Sequence, residues 1–600
     1  MDIHSILARS RLFREIHAEP LAAIAGAARL IELPGGSQLM EEGEPADHLY
    51  VVVSGRLRSS SSSGLIHREF GADESIGDVS VVANQPRMYT VHAVRDSVLL
   101  ELPGLKLLTA LQMYPGALYL TLRRVVRRQQ QLHRRHHGPE SSPLKTMSLM
   151  ELWPGSGAKE FERRLLESLR REQEVCVIDA ATVDAALGPG TSETPFADSA
   201  ENRRLVRWLG EQERAHDMLL FVVKPHAAHP EWQRRCLRQA DALLLAGEAH
   251  QPRVRDEVLA LLADAPHLST REVILRRNGN ALGEVQGLKQ QLQARDHHYW
   301  CSGDQDTVDA IARQLIGRAI GVVLGGGGAR GFAHIGLARA LSELNIPVDL
   351  FGGSSMGAFI AALWAQGITP REMVGICRDN FVQRNLMNDF VLPRVSLIRG
   401  QRFYKALREL FGDTLIESLW HPYYCLSTNL TQGHAHAHRE GSLATWCAAS
   451  MCIPGVAPPI GWKGNLHADG GIVNNLPTDV MHDWGRGPVL ASNVGTEGTV
   501  HCRGVEGPAV DVLHQWDLEQ KRPSLFEILT RTATLTSESG LAQRREMADV
   551  FIQMPVPKVG MFDWEHIDDL VRVGYDHAMS VLLESRALLQ SPQARGLAKT

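Results

Sequence analysis

The chain has 600 residues, 44% hydrophobic and 22% charged, which is more than one core usually organises, so three or four domains are expected. Lys and Arg number 63 against 68 Asp and Glu, a net charge of −5, which removes any global electrostatic case for a nucleic-acid partner. The eight cysteines are scattered, with no CxxC pair and no Cys/His cluster of zinc-ligand spacing; they read as reduced core thiols, and no metal or cofactor is expected.

The N-terminal stretch MDIHSILARSRLFREIH lacks the order of a secretory signal, and no window approaches 18 uninterrupted apolar residues. A cytoplasmic protein is expected, one that meets a membrane peripherally and from its inner face.

From Leu12 to about Val98 the pattern is all-β: short apolar runs such as HLYVVVSG (48–55) and SVLLELP (97–103) alternate with Gly, Pro and Asp turns, as in a small barrel or jelly roll. Residues 105–132 turn helical and end in the basic run RRVVRRQQQLHRRHHGP, which sets a first boundary, 1–137. In 138–317 apolar runs at 174–180, 217–223 and 240–247 alternate with helical stretches, predicting a middle α/β domain. Its nearest approach to a Walker A loop, GSGAKE (155–160), has the wrong spacing, and no chemistry is assigned to it.

Past 318 the alternation sharpens. Strand-like IGVVL (320–324) leads into GGGGARG (325–331) and a helix-like FAHIGLARALSEL; strand-like VDLFG (348–352) leads into GGSSMG and a second helix. Gly353-Ser354-Ser355-Met356-Gly357 has the form G-x-S-x-G, in which a tight strand-to-helix turn lifts the serine hydroxyl clear of the sheet. Taken alone, such a turn is often only a helix cap.

One βα unit earlier, side-chain-free residues at a strand end can offer backbone N–H groups to a developing oxyanion, with the Arg330 charge nearby. Gly326, Gly328 and Gly331 also satisfy the dinucleotide fingerprint, but a Rossmann unit wants an acidic residue at the far end of its second strand, and Asp349 stands near that strand's start. Downstream, HADGGIVNNLP (467–477) places Asp469 before two glycines; an Asp-Gly pair is also an ordinary turn. His434, His436 and His438 alternate along one strand face, read as a solvated hairpin face rather than a metal site.

GGGARG, GSSMG and DGG, in this order and this α/β setting, resemble the three motifs of the patatin-like phospholipases over about 318–485. The resemblance implies a three-layer α/β/α domain in which Ser355 is the nucleophile, Asp469 the general base without a histidine, and Gly326, Gly327 and Gly328, with Arg330, the oxyanion site. It implies hydrolysis of carboxylic esters of phospholipids or lysophospholipids. The segment 486–600, with PVLASNVG and ADVFIQMP, resembles the C-terminal extension of the neuropathy-target-esterase branch.

The N-terminal module supports that branch, because HLYVVVSG and SIGDVSVVANQPRMYTVHAV (75–94) resemble a cyclic-nucleotide-binding domain. Gly77, Arg87 and Thr90 match its phosphate cassette and imply a cyclic nucleotide as ligand. Asp78 stands in place of the ribose-binding glutamate and Met88-Tyr89 in place of two small residues, which argues against a good fit. Two rivals to the hydrolase remain at this point. One is an idle patatin fold with a regulatory role; the other is an esterase with a conventional triad, using His482, His501, His514, His566 or His577.

Overall fold

The computed structural model describes residues 2–590, except 62–65, 135–143, 154, 197–198, 224–228, 251–252, 266–267, 269, 279–284, 387, 393, 496–524 and 557–558. It divides into two compact units, 1–312 and 313–600. Among the described residues no helix is long and apolar enough to cross a membrane.

The first unit opens with helices, not strands. Asp2 caps Ile3–Arg9, its carboxylate accepting from the His4 and Ser5 N–H groups, and Ala18–Ala25 follows. The all-β expectation from Leu12 onward is therefore corrected: AEPLAAIA is rich in helix formers, and its Pro20 sits in the first turn, where a missing N–H costs nothing. The strands are β1 (Arg29–Leu33), β2 (Gln38–Met40), β3 (His48–Ser60), β4 (Ile66–Phe70), β5 (Ser75–Ile76) and β6 (Thr90–Pro103), all antiparallel, in the order β1-β6-β3-β4 with β2 on β6 and β5 on β3. Alternation along β3 feeds two cores: Leu49, Val51 and Val53 pack towards the helices, Tyr50 and Val52 towards Met40 and Phe70. The tail of the basic run lies outside the described residues.

The second sheet is wholly parallel: β7 (Thr146–Glu151), β8 (Val175–Ile178), β9 (Met218–Val223), β10 (Ala242–Glu248), β11 (Arg271–Arg276) and β12 (Asp296–Trp300), in the order β12-β11-β10-β7-β9-β8. A buried charge cluster ties it to the first sheet. Asp241 receives Arg95 Nε at 2.7 Å and Arg56 Nη1 at 3.0 Å, and Arg95 also reaches Glu213 at 2.6 Å. Burial works to raise the Asp241 carboxyl, but the two guanidiniums overcome it and hold it below its ordinary value.

The third sheet belongs to the second unit. Its strands are β13 (Gly321–Leu324), β14 (Leu350–Ser354), β15 (Tyr423–Asn429), β16 (His434–His438), β17 (Ile460–Trp462), β18 (Asn465–Asp469), β19 (Val489–Asn493) and β20 (Val550–Gln553), ordered β17-β18-β15-β14-β13-β19-β20 with β16 on β15. Val322, Leu324 and Phe351 face one layer of helices, including Ala333–Glu343 and Ile567–Gln590, while Val323, Leu350 and Tyr424 face Met481 and Trp484. That is the three-layer α/β/α fold. The sheet does not stop at 485, however; β19 and β20 extend it in parallel.

Breaking a buried ion pair from one side strands the other charge, at about 3–5 kcal/mol. Asp241→Asn should lower the melting transition of the 1–312 unit by that order in urea titrations of the full chain; an unchanged transition would show that the cluster does not hold the two sheets together.

Candidate active site

β13 and β14 are parallel neighbours, and the chain turns towards β19 on the other side of β13, so a crevice opens beyond their C-terminal ends. The glycine-rich segment follows β13 and Ser355 follows β14. Ser355 has φ 52° and ψ −127°, an unusual conformation for a residue with a side chain, worth about 1–3 kcal/mol of strain. The close approach that creates it is possible because residue 357 is glycine: a Cβ there would meet the Leu324 carbonyl oxygen at 2.1 Å.

The turn points the Ser355 hydroxyl at Asp469, donating to Oδ2 at 2.6 Å. Asp469 ends β18, where Thr428 on β15 donates to its carbonyl at 2.9 Å, and the Gly471 N–H donates to its Oδ1 at 2.7 Å. Both groups are nearly sealed, Ser355 at 8% and Asp469 at 5% exposure. Burial pushes the Asp469 carboxyl up to about 6, against the bonds from Ser355 and Gly471, which pull it down.

The glycine segment is less uniform than its sequence. Gly326 lies closest to Ser355, where a Cβ would stand 2.8 Å from the serine Cβ, but its N–H is already given to Asn475, at 3.3 Å to the carbonyl and 3.2 Å to Oδ1. The expected set of three donors is therefore short by one. Among the described residues the Gly327 and Gly328 N–H groups have no acceptor. Arg330 spends its Nε on the Val559 carbonyl at 2.6 Å.

Three residues that the sequence did not single out fix this geometry. Asn475 clamps Gly326 from both sides, also donating to its carbonyl at 3.0 Å. His334 is fully buried, pushed down to about 4 by that burial, and bridges the Gly325 carbonyl at 2.9 Å and Ser492 Oγ at 3.0 Å. Ser450 accepts the Ser355 N–H at 2.9 Å. Asn475 falls six residues after the DGG aspartate, and His334 three after the glycine run, a polar residue standing among apolar ones.

The triad histidines stay apart. His482 lies beside Asp483 and His566 near Asp569, both substantially exposed, and His577 is half-buried; none bonds to Ser355 or Asp469. His501 and His514 lie outside the described residues. The β16 histidines are not all solvated, as expected of a hairpin face: His438 is buried, stacked on Trp446 at 3.6 Å between centroids, and shares Ser427 Oγ with His467. Among the described residues no group could hold a metal ion.

In the first unit, Arg87 is buried and donates to the His48 carbonyl at 2.6 Å and the Gly77 carbonyl at 3.4 Å. Asp78 turns inward to Ser75 Oγ at 2.8 Å, while Thr90 Oγ1 accepts the Glu42 N–H at 3.1 Å.

Residues 322–482 match the family model described as patatin-like phospholipase. The second unit carries a patatin-like domain. Residues 30–114 match the cyclic nucleotide-binding domain and 143–299 the Neuropathy Target Esterase family P-loop like domain. In that P-loop-like domain the GSGAKE turn does follow β7, but Glu151 occupies the Ser156 N–H at 3.2 Å, where a phosphate would bind. Patatin-like phospholipase domain-containing protein 6 of Homo sapiens is 28% identical, over 91% of this chain and 44% of its own. Lysophospholipase nte1 of Emericella nidulans is 28% identical over 94% and 42%, and patatin-like phospholipase domain-containing protein 7 of Rattus norvegicus 27% over 91% and 45%. The chain spans less than half the length of these curated relatives.

Ionised Asp469 in the patatin-like domain is a stability cost. Its folded value, near 6, lies above the ordinary 3.8, so the stabilising contribution is present below about pH 3.8 and is lost as pH rises through 6, roughly 3 kcal/mol in all. Asp469→Asn, which can keep both hydrogen bonds, should melt higher than wild type at pH 7 and lose that advantage near pH 4. A lower melting temperature at pH 7 contradicts the assignment of the cost.

Proposed function

We propose that the patatin-like domain hydrolyses carboxylic esters of phospholipids, with lysophospholipids preferred, using Ser355 as nucleophile and Asp469 as general base. The observation that carries this reading is the 2.6 Å hydrogen bond from Ser355 Oγ to Asp469, with no imidazole between them.

Ser355 Oγ attacks the ester carbonyl carbon as its proton passes to Asp469. The carbonyl oxygen, now anionic, is stabilised by the Gly327 and Gly328 N–H groups, which have no acceptor among the described residues. Collapse expels the glycerol oxygen, which takes the proton from Asp469 and leaves an acyl-serine. Water then attacks the acyl carbon, giving its proton to Asp469; the tetrahedral species releases the fatty acid, and the proton returns to Ser355 Oγ. A carboxyl near 6 is largely ionised at neutral pH and is a stronger base than an ordinary aspartate.

The names of two kinds of relative, patatin-like phospholipase and lysophospholipase, supply the substrate class. A single-chain lipid leaves a bilayer more easily than a two-chain one, by about 0.8 kcal/mol for each CH₂ that is missing, which favours lysophospholipids for an enzyme acting from the membrane surface. The cyclic-nucleotide-binding domain is proposed to bind cyclic nucleotides weakly, because the Asp78 carboxylate is committed to Ser75.

Ser355→Ala and Asp469→Asn should each abolish lysophospholipid turnover, and the double mutant should be scarcely worse than either. Gly327→Ala should cost on the order of 10²–10³ in kcat, both by misdirecting a donor and because its Cβ would meet Val494 Cγ2 at 2.7 Å. His482, His566 and His577 changed singly to Gln should keep most activity. A histidine variant as inactive as Ser355→Ala, in a folded protein, would replace the dyad with a triad.

A further inference from the structure

Phe390, Leu392 and Val395 are 72%, 83% and 69% exposed, the most exposed large apolar side chains among the described residues of the 313–600 unit. Three such groups within six residues form a concentrated apolar tip rather than the scattered single residues of an ordinary surface. The segment that carries them is a built finger. Phe390 pairs with Ile398 in an antiparallel bridge, and the Val391 N–H donates to the Leu397 carbonyl at 3.0 Å. At its root, Leu397 and Ile398 donate to the Gly455 and Val456 carbonyls at 2.8 and 2.9 Å, and Ile398 is buried against Cys452 and Ala457.

The finger carries cations and lacks competing acid. Arg394 and Arg399 are exposed and make no ion pair among the described residues, while Asp389 at the root turns its carboxylate to the Arg402 N–H. Trp462, 48% exposed, stands two residues beyond Ile460, which packs on the same small core as Ile398. Apolar side chains at a tip, arginines beside them and a tryptophan at the flank match the layers of a bilayer interface, in which acyl chains lie below anionic headgroups.

The root is also wired to the proposed dyad: Cys452, in the core under Ile398, gives its carbonyl to the Asp469 N–H at 2.9 Å. We propose that the finger formed by residues 390–392 and 394–399 is the docking surface by which the patatin-like domain sits on an anionic phospholipid bilayer. The proposal rests on the reading of this domain as a lipid-ester hydrolase and names the surface from which that hydrolase takes its substrate. Arginines within and just beyond the apolar stretch, unpaired among the described residues, suit an anionic surface, and would repel each other in a contact between two identical copies.

The test uses the full chain in sedimentation with large unilamellar vesicles of phosphatidylcholine, with and without one-third phosphatidylglycerol, alongside turnover of a water-soluble short-chain ester. Wild type and Ser355→Ala should sediment alike and more strongly with the anionic vesicles. The triple variant Phe390→Ser, Leu392→Ser, Val395→Ser should lose about tenfold or more in partitioning on both vesicles. The pair Arg394→Ala, Arg399→Ala should lose several-fold on the anionic vesicles alone, and that difference should vanish at high salt. Both variants should keep soluble-ester turnover, which shows that they are folded.

A triple variant that sediments like wild type overturns the proposal, as does a wild-type dimer that the triple variant dissolves without losing vesicle binding. A wild type that binds vesicles through the finger but cleaves neither the soluble ester nor a lysophospholipid upholds the docking surface and sinks the hydrolase reading instead.

Discussion

A carboxylate that is 5% exposed and still ionised at neutral pH needs donors, and Asp469 has two: the Ser355 hydroxyl and the Gly471 N–H. Burial raises the aspartate to about 6, and that same burial shuts out the water that would otherwise compete for the serine proton. Everything nearby serves to hold a strained serine against a costly acid. The cost is of the kind expected where function, not stability, has selected the residue.

The backbone around the dyad shows the same economy of donors. A buried N–H must find an acceptor or be kept for a ligand. Gly325 gives its N–H to Ser492 and Gly326 gives its own to Asn475, whereas Gly327 and Gly328 find no acceptor among the described residues. His334, held neutral by burial, locks the Gly325 carbonyl from the other side. The two undonated groups are therefore held by a rigid frame. That frame is what distinguishes a proposed oxyanion site from a flexible glycine turn.

The parts of this architecture legible in the sequence are those whose determinants are close in the chain. The GSSMG turn and the β13-to-β14 unit could be read because strand, turn and helix follow one another within 40 residues. Gly326 could not be separated from its neighbours, since the residue that takes its N–H is Asn475, 149 positions away. The pairing of Arg95 with Asp241 spans 146 positions, and no local pattern announces it. The helix Ala18–Ala25 was misread because turn-like residues flank a short helical run, and β20 was not recognised as a strand of the third sheet because 56 residues separate β19 from it.

The central claim is that a carboxylate, and no imidazole, takes the proton from Ser355. The direct measurement is the rate of covalent labelling by a fluorophosphonate followed against pH at two temperatures, because carboxyl ionisation hardly changes with temperature whereas imidazole ionisation shifts markedly. The account predicts labelling at Ser355 alone, falling below about pH 6 as one proton binds, with a midpoint that stays in place on warming and a signal abolished by Asp469→Asn. A midpoint that moves down on warming, with labelling that survives Asp469→Asn, would contradict it.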